Sequence, residues 1–179
     1  MTTWQRIEIG SGERRLCLAM NRWGARRALT RLFRTVSRLG DGAFWYTVMF
    51  LLAVFAGRRG MQAALHMACV GIVAALLYRT LKRWTRRPRP FRAHAEITPY
   101  VAPLDEFSFP SGHTLHAVSF TLIALAYFPW LAPVLLPFTL LVAMSRVVLG
   151  MHYPSDVLAA TIIGCALAGG SLWLVPMVA

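Results

Sequence analysis

Long apolar stretches separated by short polar segments constrain the fold of this chain more than any other feature. Several of these stretches approach the roughly 20 residues that a helix needs to cross the hydrocarbon core of a bilayer. The apolar stretches cover residues 43–56, 62–81, 113–128, 131–149 and 155–178. At 57% hydrophobic residues and a mean hydropathy of +0.53, the chain is too apolar for an ordinary soluble domain. We predict an all-α integral membrane bundle of about five helices, or six if the N-terminal segment also inserts.

The first 41 residues predict a basic amphipathic helix that lies at the membrane surface. Apolar residues recur at helical spacing between Leu16 and Val36, and arginines occupy the other face. We do not expect this segment to span, because one arginine at a helix centre costs about 2.5–3.5 kcal/mol of insertion free energy. A break is expected near Gly24, and Asp41, between two glycines, is expected to cap the first span. Residues 42–179 then form the transmembrane domain.

The net charge of +12 indicates an anionic partner. We do not expect nucleic acid, because most of the chain is predicted to lie in the membrane, so membrane lipid headgroups or an anionic substrate remain. The three cysteines, Cys17, Cys69 and Cys165, have no CxxC spacing, and we predict neither a disulfide framework nor a zinc site. No oligomeric state is predicted.

Three polar segments are expected to meet at one end of the bundle. The first runs from Lys82 to Pro90, the second is Pro110-Ser111-Gly112-His113, and the third runs from Ser145-Arg146 through His152 to Asp156. Each lies at or near the end of a predicted helix. Counting five spans places residues 82–112 and 146–155 on the same side of the membrane as the N-terminus.

The residue types in these segments suit phosphoryl transfer, in which catalysis consists largely of positioning and electrostatic stabilisation. Lys82, Arg89 and Arg146 supply three cations, and arginine offers paired donors for phosphate oxygens. Ser111 and Gly112 precede a helix that should begin near His113. The free backbone N–H groups at such a helix start form an anion site.

Two histidines can divide the chemistry of a phosphatase. One attacks phosphorus and forms a phosphohistidine, while the other protonates the leaving oxygen and then activates water. A carboxylate that holds one imidazole N–H leaves the other nitrogen free to attack. The spacing of Asp156 suits that role for His152, which favours His152 as the nucleophile and His113 as the general acid and base.

The combined pattern K-x6-RP, PSGH and SR-x5-H-x3-D resembles the signature of the type 2 phosphatidic acid phosphatase superfamily, whose members are membrane lipid phosphatases. The resemblance spans Lys82 to Asp156 and implies a lipid phosphate or lipid diphosphate substrate without a cofactor or a divalent metal. It implies phosphate binding by Lys82, Arg89, Ser111, Gly112 and Arg146, with His152 as nucleophile, Asp156 as its partner and His113 as acid. We expect a polyprenyl diphosphate such as undecaprenyl diphosphate, with phosphatidylglycerol phosphate or phosphatidic acid as alternatives.

Other polar residues near these segments have structural interpretations. Arg83, Arg86, Arg87 and Arg92 are expected to form a basic collar that binds headgroups. His66 is expected to pack inside the bundle, His116 to face the pore or to pack rather than to act as a second acid, and His94 to be solvated. Glu96, Asp105 and Glu106 are expected in a loop that covers the site rather than in a metal site. The glycines Gly164, Gly169 and Gly170 predict close helix packing.

Two other classes of protein and both membrane faces remain open. A vanadium-dependent haloperoxidase has the same signature at its oxyanion site, although the five apolar stretches argue against it. A non-catalytic lipid-binding or transport protein would not need both histidines and Asp156. Nine arginines among the first 41 residues, against Arg58 and Arg59 on the other side, place the active site at the cytoplasmic face of a bacterial inner membrane. The resemblance favours the outer face instead.

Overall fold

The computed structural model describes residues 11–175, and over that range it contains helices and no β-strand. The all-α prediction is confirmed. The helices are α1 (Ser11–Asn21), α2 (Arg27–Arg38), α3 (Phe44–Phe55), α4 (Gly57–Thr85), α5 (Pro90–Ala93), α6 (Gly112–Tyr127), α7 (Ala132–Val148) and α8 (Pro154–Leu174).

Four helical segments are long and apolar enough to cross a membrane. They are Arg27–Phe55, which joins α2 to α3, Gly57–Thr85, Pro129–Val148 and Pro154–Leu174. Helix α6 has 16 residues and packs between α4, α7 and α8. Most of its side chains are buried, so it forms the centre of a bundle of five helices, α3, α4, α6, α7 and α8, as predicted.

Helices α6 and α8, which carry His113 and Asp156, pack closely at Gly164. A Cβ atom at Gly164 would lie 3.0 Å from the Val118 Cβ and 3.1 Å from the Leu115 carbonyl oxygen, which is tighter than ordinary contact. The predicted close packing is therefore confirmed at Gly164. It is wrong for Gly169 and Gly170, where a Cβ atom would meet nothing within 4 Å.

The N-terminal segment breaks where the sequence predicted. Helix α1 ends at Asn21, a 3₁₀ turn covers Arg22–Ala25, and α2 begins at Arg27. The glycine in this turn, Gly24, lies against the ring of Tyr100. Phe33 and Val36 bury the apolar face of α2, which packs on α7, while the α2 arginines are exposed.

The predicted role of Asp41 as a helix cap is wrong. Helices α2 and α3 meet at a kink within the segment Leu39–Ala43, and no side chain caps α3. The chain turns at Gly42, whose φ of 137° is open to glycine but strained for other residues. The turn directs Asp41 towards the polar end of the bundle, where its Oδ1 lies 3.4 Å from Nε2 of His113.

The two kinds of glycine in α8 predict opposite effects of the same substitution. Gly164→Ala should cost about 1–3 kcal/mol, because the added methyl group meets the α6 backbone. Gly169→Ala should be neutral or stabilising by up to about 1 kcal/mol, because alanine favours a helix over glycine. Thermal unfolding of the two variants in the same detergent measures the difference. Equal midpoints would contradict the packing described here.

Candidate active site

A cavity of about 940 Å³ opens at the polar end of the bundle and is lined by residues from all three polar segments. Six of the eight predicted site residues line it: Lys82, Arg89, Gly112, His113, Arg146 and His152. The other two, Ser111 and Asp156, are completely buried. The predicted constellation is thus assembled in one place, although the role of each residue stays a prediction.

His152 lies in the short connection between α7 and α8 and is 2% exposed. Its Nε2 is 3.4 Å from Nη1 of Arg89, and its Nδ1 is 3.6 Å from Oδ2 of Asp156. The second distance exceeds that of a hydrogen bond, so the carboxylate faces the imidazole without bonding to it. Burial, then the charges of Arg146 and Arg89, hold the pKa of His152 well below its ordinary value. The imidazole is therefore neutral at pH 7, as a nucleophile requires.

Asp156 is positioned by the start of α8. Pro154 is the first residue of this helix, as predicted, and Asp156 is the third. Its Oδ2 accepts a hydrogen bond from the Tyr153 backbone N–H at 2.9 Å, so the carboxylate reaches back to the residue that precedes the helix and satisfies one of the free N–H groups at the helix start. The spacing H-x3-D therefore places the carboxylate behind the histidine because it also caps the helix.

His113 lies in the first turn of α6, opposite a carboxylate from another part of the chain. The pairing of its Nε2 with Asp41 at 3.4 Å links the kinked turn before α3 to the proposed acid. No periodic pattern predicts this contact, since Asp41 precedes His113 by 72 positions. Only its place at the predicted polar end could have suggested it.

Lys82 and Arg89 share the carboxylate of Asp105. Lys82 Nζ donates to both Asp105 oxygens, at 2.8 and 2.7 Å, and to the Phe107 carbonyl at 3.1 Å. Arg89 donates from Nη2 to Asp105 Oδ1 at 2.7 Å and from Nη1 to the Met151 carbonyl at 2.9 Å. The prediction of a covering loop did not assign Asp105 to the site itself.

The charge of Asp105 is stabilised by the two cations that it contacts. Burial raises the pKa of Asp105, but hydrogen bonds and charge from Lys82 and Arg89 outweigh burial and leave the pKa below its ordinary value. The carboxylate is therefore ionised at neutral pH. It occupies donors that a phosphate would need.

The side chains of Arg146 and Ser111 are each held by a hydrogen bond to another helical residue. Arg146, near the end of α7, is buried and donates from Nη1 to Ser37 Oγ of α2. Ser111 is the N-cap of α6, where its Oγ accepts from the Thr114 backbone N–H at 3.5 Å and lies 3.0 Å from the Thr114 hydroxyl. Ser111 therefore caps α6, and its contact with phosphate stays a prediction.

The cavity continues from its charged end along an apolar side. Residues of α3 and α4 line that side: Trp45, Met49, Ala68, Ile72 and Ala75. A second cavity of about 380 Å³ reaches His113 and Arg146 from the direction of α2 and is lined by Arg34, Arg38 and Tyr100. The charged end is therefore open both towards an apolar groove and towards a polar surface.

One arginine of the predicted collar has a different place. Arg87 is buried, and its Nη1 donates to Asp156 Oδ1 at 2.6 Å, so the collar prediction is wrong there. Arg83, Arg86 and Arg92 are exposed. The covering-loop prediction holds for Glu106, which pairs with Arg92 at 3.3 Å.

The remaining histidines mostly occupy packing positions. His66 Nδ1 lies 3.2 Å from the Tyr127 hydroxyl, as predicted. His116 contacts the Gly71 carbonyl at 3.1 Å and lines the cavity, which agrees with the pore-side position that was expected as one of two. The expected solvation of His94 is wrong, because its Nε2 is buried and its ring packs edge-on against Tyr153. Within residues 11–175, no group of three or more His, Cys, Asp or Glu side chains could hold a metal ion.

The sequence profile of the PAP2 superfamily matches residues 59–178, which include every motif of the site. The chain belongs to the PAP2 superfamily. The match confirms the resemblance inferred from the three motifs, and superfamily members provide the comparisons that follow.

Curated PAP2 relatives share phosphatase activity but differ in their named substrates. A lipid A 1-phosphatase of Rhizobium etli is 29% identical over 76% of this chain and 67% of its own. Phosphatidylglycerophosphatase B of Escherichia coli is 27% identical over 74% and 70%. An undecaprenyl-diphosphatase of Bacillus subtilis is 31% identical over 64% and 60%. The chain is therefore a phosphatase of this superfamily.

A solved PAP2 structure has the same fold. The crystal structure of a transmembrane PAP2 type phosphatidylglycerolphosphate phosphatase from Bacillus subtilis superposes with a TM-score of 0.74, at 25% identity, over 92% of this chain and 84% of its own. Together with the apolar helices, this likeness makes the chain an integral membrane protein.

Asp105 and a bound phosphate should compete for the ammonium donors of Lys82, and this competition can be measured. All three ammonium donors are taken, two by Asp105 and one by a carbonyl, so a phosphate must replace the carboxylate. In Asp105→Asn, inorganic phosphate and the tetrahedral analogue orthovanadate should therefore bind about tenfold more tightly, the value of one charge-assisted hydrogen bond. Their inhibition constants measure this effect.

The matched control for that competition is Glu106→Gln. This change removes an equal charge from the neighbouring position, where the carboxylate is exposed and contacts neither Lys82 nor Arg89. It should alter the inhibition constants by less than about twofold, in keeping with the small value of exposed pairs. Weaker oxyanion binding in Asp105→Asn, or the same change in both variants, would contradict the competition.

Proposed function

We propose that this chain is a metal-independent lipid phosphatase that transfers phosphate from its substrate to His152 and then to water. The supporting observation is the single cavity in which two histidines and three cations meet at the head of an apolar groove. The charged end suits a phosphate, and the groove suits a chain that stays in the lipid. An amphiphilic phosphate ester has that combination of groups.

In the first step, Nε2 of His152 attacks phosphorus and forms a phosphorus–nitrogen bond. The bond from phosphorus to the leaving oxygen breaks, and His113 gives its proton to that oxygen, which is the bridging oxygen of a lipid diphosphate or the ester oxygen of a lipid phosphomonoester. Nε2 is the attacking nitrogen because it lies beside Arg89 in the cavity, whereas Nδ1 faces Asp156. Asp156 stabilises the positive charge that the imidazole ring acquires during attack.

In the second step, His113 takes a proton from water as the water oxygen attacks phosphorus. The phosphorus–nitrogen bond breaks, inorganic phosphate forms, and His152 returns to its neutral state. Lys82, Arg89 and Arg146 neutralise charge on the phosphate oxygens in both steps. The resulting cycle needs no metal ion.

The proposed substrate is a polyprenyl diphosphate such as undecaprenyl diphosphate, and the alternatives are phosphatidylglycerol phosphate and phosphatidic acid. The groove between α3 and α4 supports a lipid with a long chain, since the apolar side chains of Met49, Ala68, Ile72 and Ala75 line it. The undecaprenyl-diphosphatase relative supports the first choice. The phosphatidylglycerophosphatase relative supports the second.

The proposed location is a bacterial plasma membrane with the active site at the cytoplasmic face, because arginines concentrate on that side of the chain. Ala95→Cys, in a chain whose Cys69 and Cys165 are serine, should react with a membrane-impermeant maleimide only after the cells are opened. Arg58→Cys, on the opposite side, should react in intact cells. The reverse pattern would place the active site outside.

The proposed reaction predicts phosphate release by detergent-purified protein in the presence of a chelator. The three candidate lipids are tested side by side, and His152→Ala should reduce turnover at least about a thousandfold, because the nucleophile is lost. His94→Gln, a change outside the cavity, should keep activity within about threefold. Turnover that survives in His152→Ala or requires added metal would contradict the mechanism.

Lipid binding without turnover would indicate a binding protein. Halide oxidation in the presence of vanadate would indicate a haloperoxidase.

The paired histidines also predict a bell-shaped dependence of kcat/KM on pH. Activity falls on the acidic side as His152 gains a proton, and on the alkaline side as His113 loses one. Because burial lowers the pKa of His152, the neutral form persists below the ordinary histidine value of 6.5. The acidic limb should therefore lie below pH 6.5. A profile that is flat across the histidine range, with chemistry rate-limiting, would count against these roles.

A further inference from the structure

The carboxylate behind His152 has a cationic partner that the three motifs do not include. Arg87 Nη1 donates to Asp156 Oδ1 at 2.6 Å, while the other carboxylate oxygen faces His152. Asp156 is completely buried and Arg87 is 8% exposed. A buried carboxylate is costly without a charged partner. Arg87 is therefore the charged partner that offsets the burial of Asp156, and together with the Tyr153 backbone N–H it fixes the orientation of the carboxylate.

Arg87 is itself fixed by a residue of the N-terminal helix α1. Glu13 accepts from Arg87 Nη2 at 3.0 Å through Oε2. Through Oε1, the same carboxylate accepts from the Ser155 backbone N–H at 3.0 Å and from the Ser155 hydroxyl. The Arg87 guanidinium also lies 4.2 Å from the centre of the Tyr153 ring. The guanidinium is thus clamped on both sides and on its face.

Because Glu13 and Asp156 both contact Arg87, Glu13 has an electrostatic effect on Asp156 as well as a steric one. Glu13 and Asp156 share a single guanidinium, so one negative charge of the three groups remains uncompensated. With Glu13 neutral, Arg87 would have Asp156 as its one anionic partner and would draw the carboxylate charge away from His152. The charge that Asp156 presents to the imidazole should therefore depend on a residue of α1.

We propose that Arg87 and Glu13 are positioning residues for the catalytic carboxylate. Glu13 fixes Arg87, and Arg87 holds Asp156 so that Oδ2 faces Nδ1 of His152. The inference rests on the proposed role of His152 as nucleophile. Glu13 lies outside residues 59–178, which match the superfamily profile, so the proposed clamp includes a residue that the profile does not cover.

Other charged groups also face His152, and they must stay unchanged if the effect is to be assigned to this clamp. They come from α4, the segment after α4, α6, α7 and α8. These groups are Lys82, Arg89, His113, Arg146 and Asp156. None of these groups contacts Glu13 directly. Asp156 is linked to it through Arg87. A change at Glu13 can therefore alter His152 without altering the phosphate-binding cations.

The proposal predicts a loss of kcat without a loss of oxyanion affinity. Glu13→Gln and Arg87→Lys should each lower kcat about tenfold, and Arg87→Gln about a hundredfold, because the catalytic carboxylate is no longer held in place. The KM and the inhibition constant of orthovanadate should change by less than about twofold. In the Arg87→Gln background, Glu13→Gln should lower kcat less than it does in the wild type, since its contact with Arg87 is already lost and only its contacts with Ser155 remain.

The matched control is Arg14→Gln, which breaks a different ion pair of α1, that of Arg14 with Glu96 in the segment after α5. Both side chains of that pair are exposed, so the change should leave kcat within about twofold. It separates a loosened α1 from a disturbed Asp156. Equal losses of kcat in Arg14→Gln and Glu13→Gln, or additive losses in the double variant, would overturn the proposal.

A measurement without lipid turnover separates this inference from the proposed function. Selective ¹⁵N-histidine NMR of the purified protein, with His152 assigned by the His152→Ala variant, reports the state of its imidazole. The His152 signals should move in Glu13→Gln and Arg87→Gln and remain in place in Arg14→Gln. Unchanged signals in the first two variants would overturn the positioning role, even if the wild type is an active phosphatase. Shifted signals in a protein that hydrolyses no lipid phosphate would support the clamp while removing the proposed function.

Discussion

Buried positive charge at one end of an apolar bundle is the constraint on which the rest of this structure depends. Lys82, Arg89 and Arg146 are each at most 6% exposed, and burying an unpaired charge is among the most costly events in folding. Carboxylates from separate parts of the chain therefore converge on the same end. The loop after α5 brings Asp105, and the turn before α3 brings Asp41. Attraction between these opposite charges stabilises the polar end of the bundle, and packing of the apolar core stabilises the rest.

The sequence predicted the parts of this arrangement that depend on local spacing. Apolar run length predicted the helices, and the H-x3-D spacing predicted the approach of Asp156 to His152, because Asp156 also caps the helix that Pro154 begins. Residues with a partner distant in sequence were interpreted wrongly. Asp41 was taken for a helix cap and Arg87 for part of a surface collar. Neither partner could be identified without knowing which helix ends meet.

Asp105 shows why charge alone did not reveal a role in the site. The prolines near Asp105 predicted a loop, and Asp105 does lie in one. What the sequence could not provide was the distance from this loop to Lys82, which is set by the length of α4 and by the turn at Arg86, where the backbone has a positive φ of 46°. Helix α4 ends three residues beyond Lys82, so the following chain folds back across the lysine.

The distribution of carboxylates suggests the order in which a phosphate meets the cations. Lys82 and Arg89 are bonded to Asp105, and Arg87 is bonded to Asp156 and Glu13. Arg146 differs, since over residues 11–175 it has a hydroxyl rather than a carboxylate as its hydrogen-bond partner, and its Nε has none. An arriving phosphate can therefore bind Arg146 without displacing an anion. Its charge then favours the exchange of Asp105 for a phosphate oxygen at Lys82 and Arg89, because two anions cannot share those donors at low cost. Release of Asp105 would then accompany substrate capture and leave Nε2 of His152, the proposed nucleophile, facing the phosphorus.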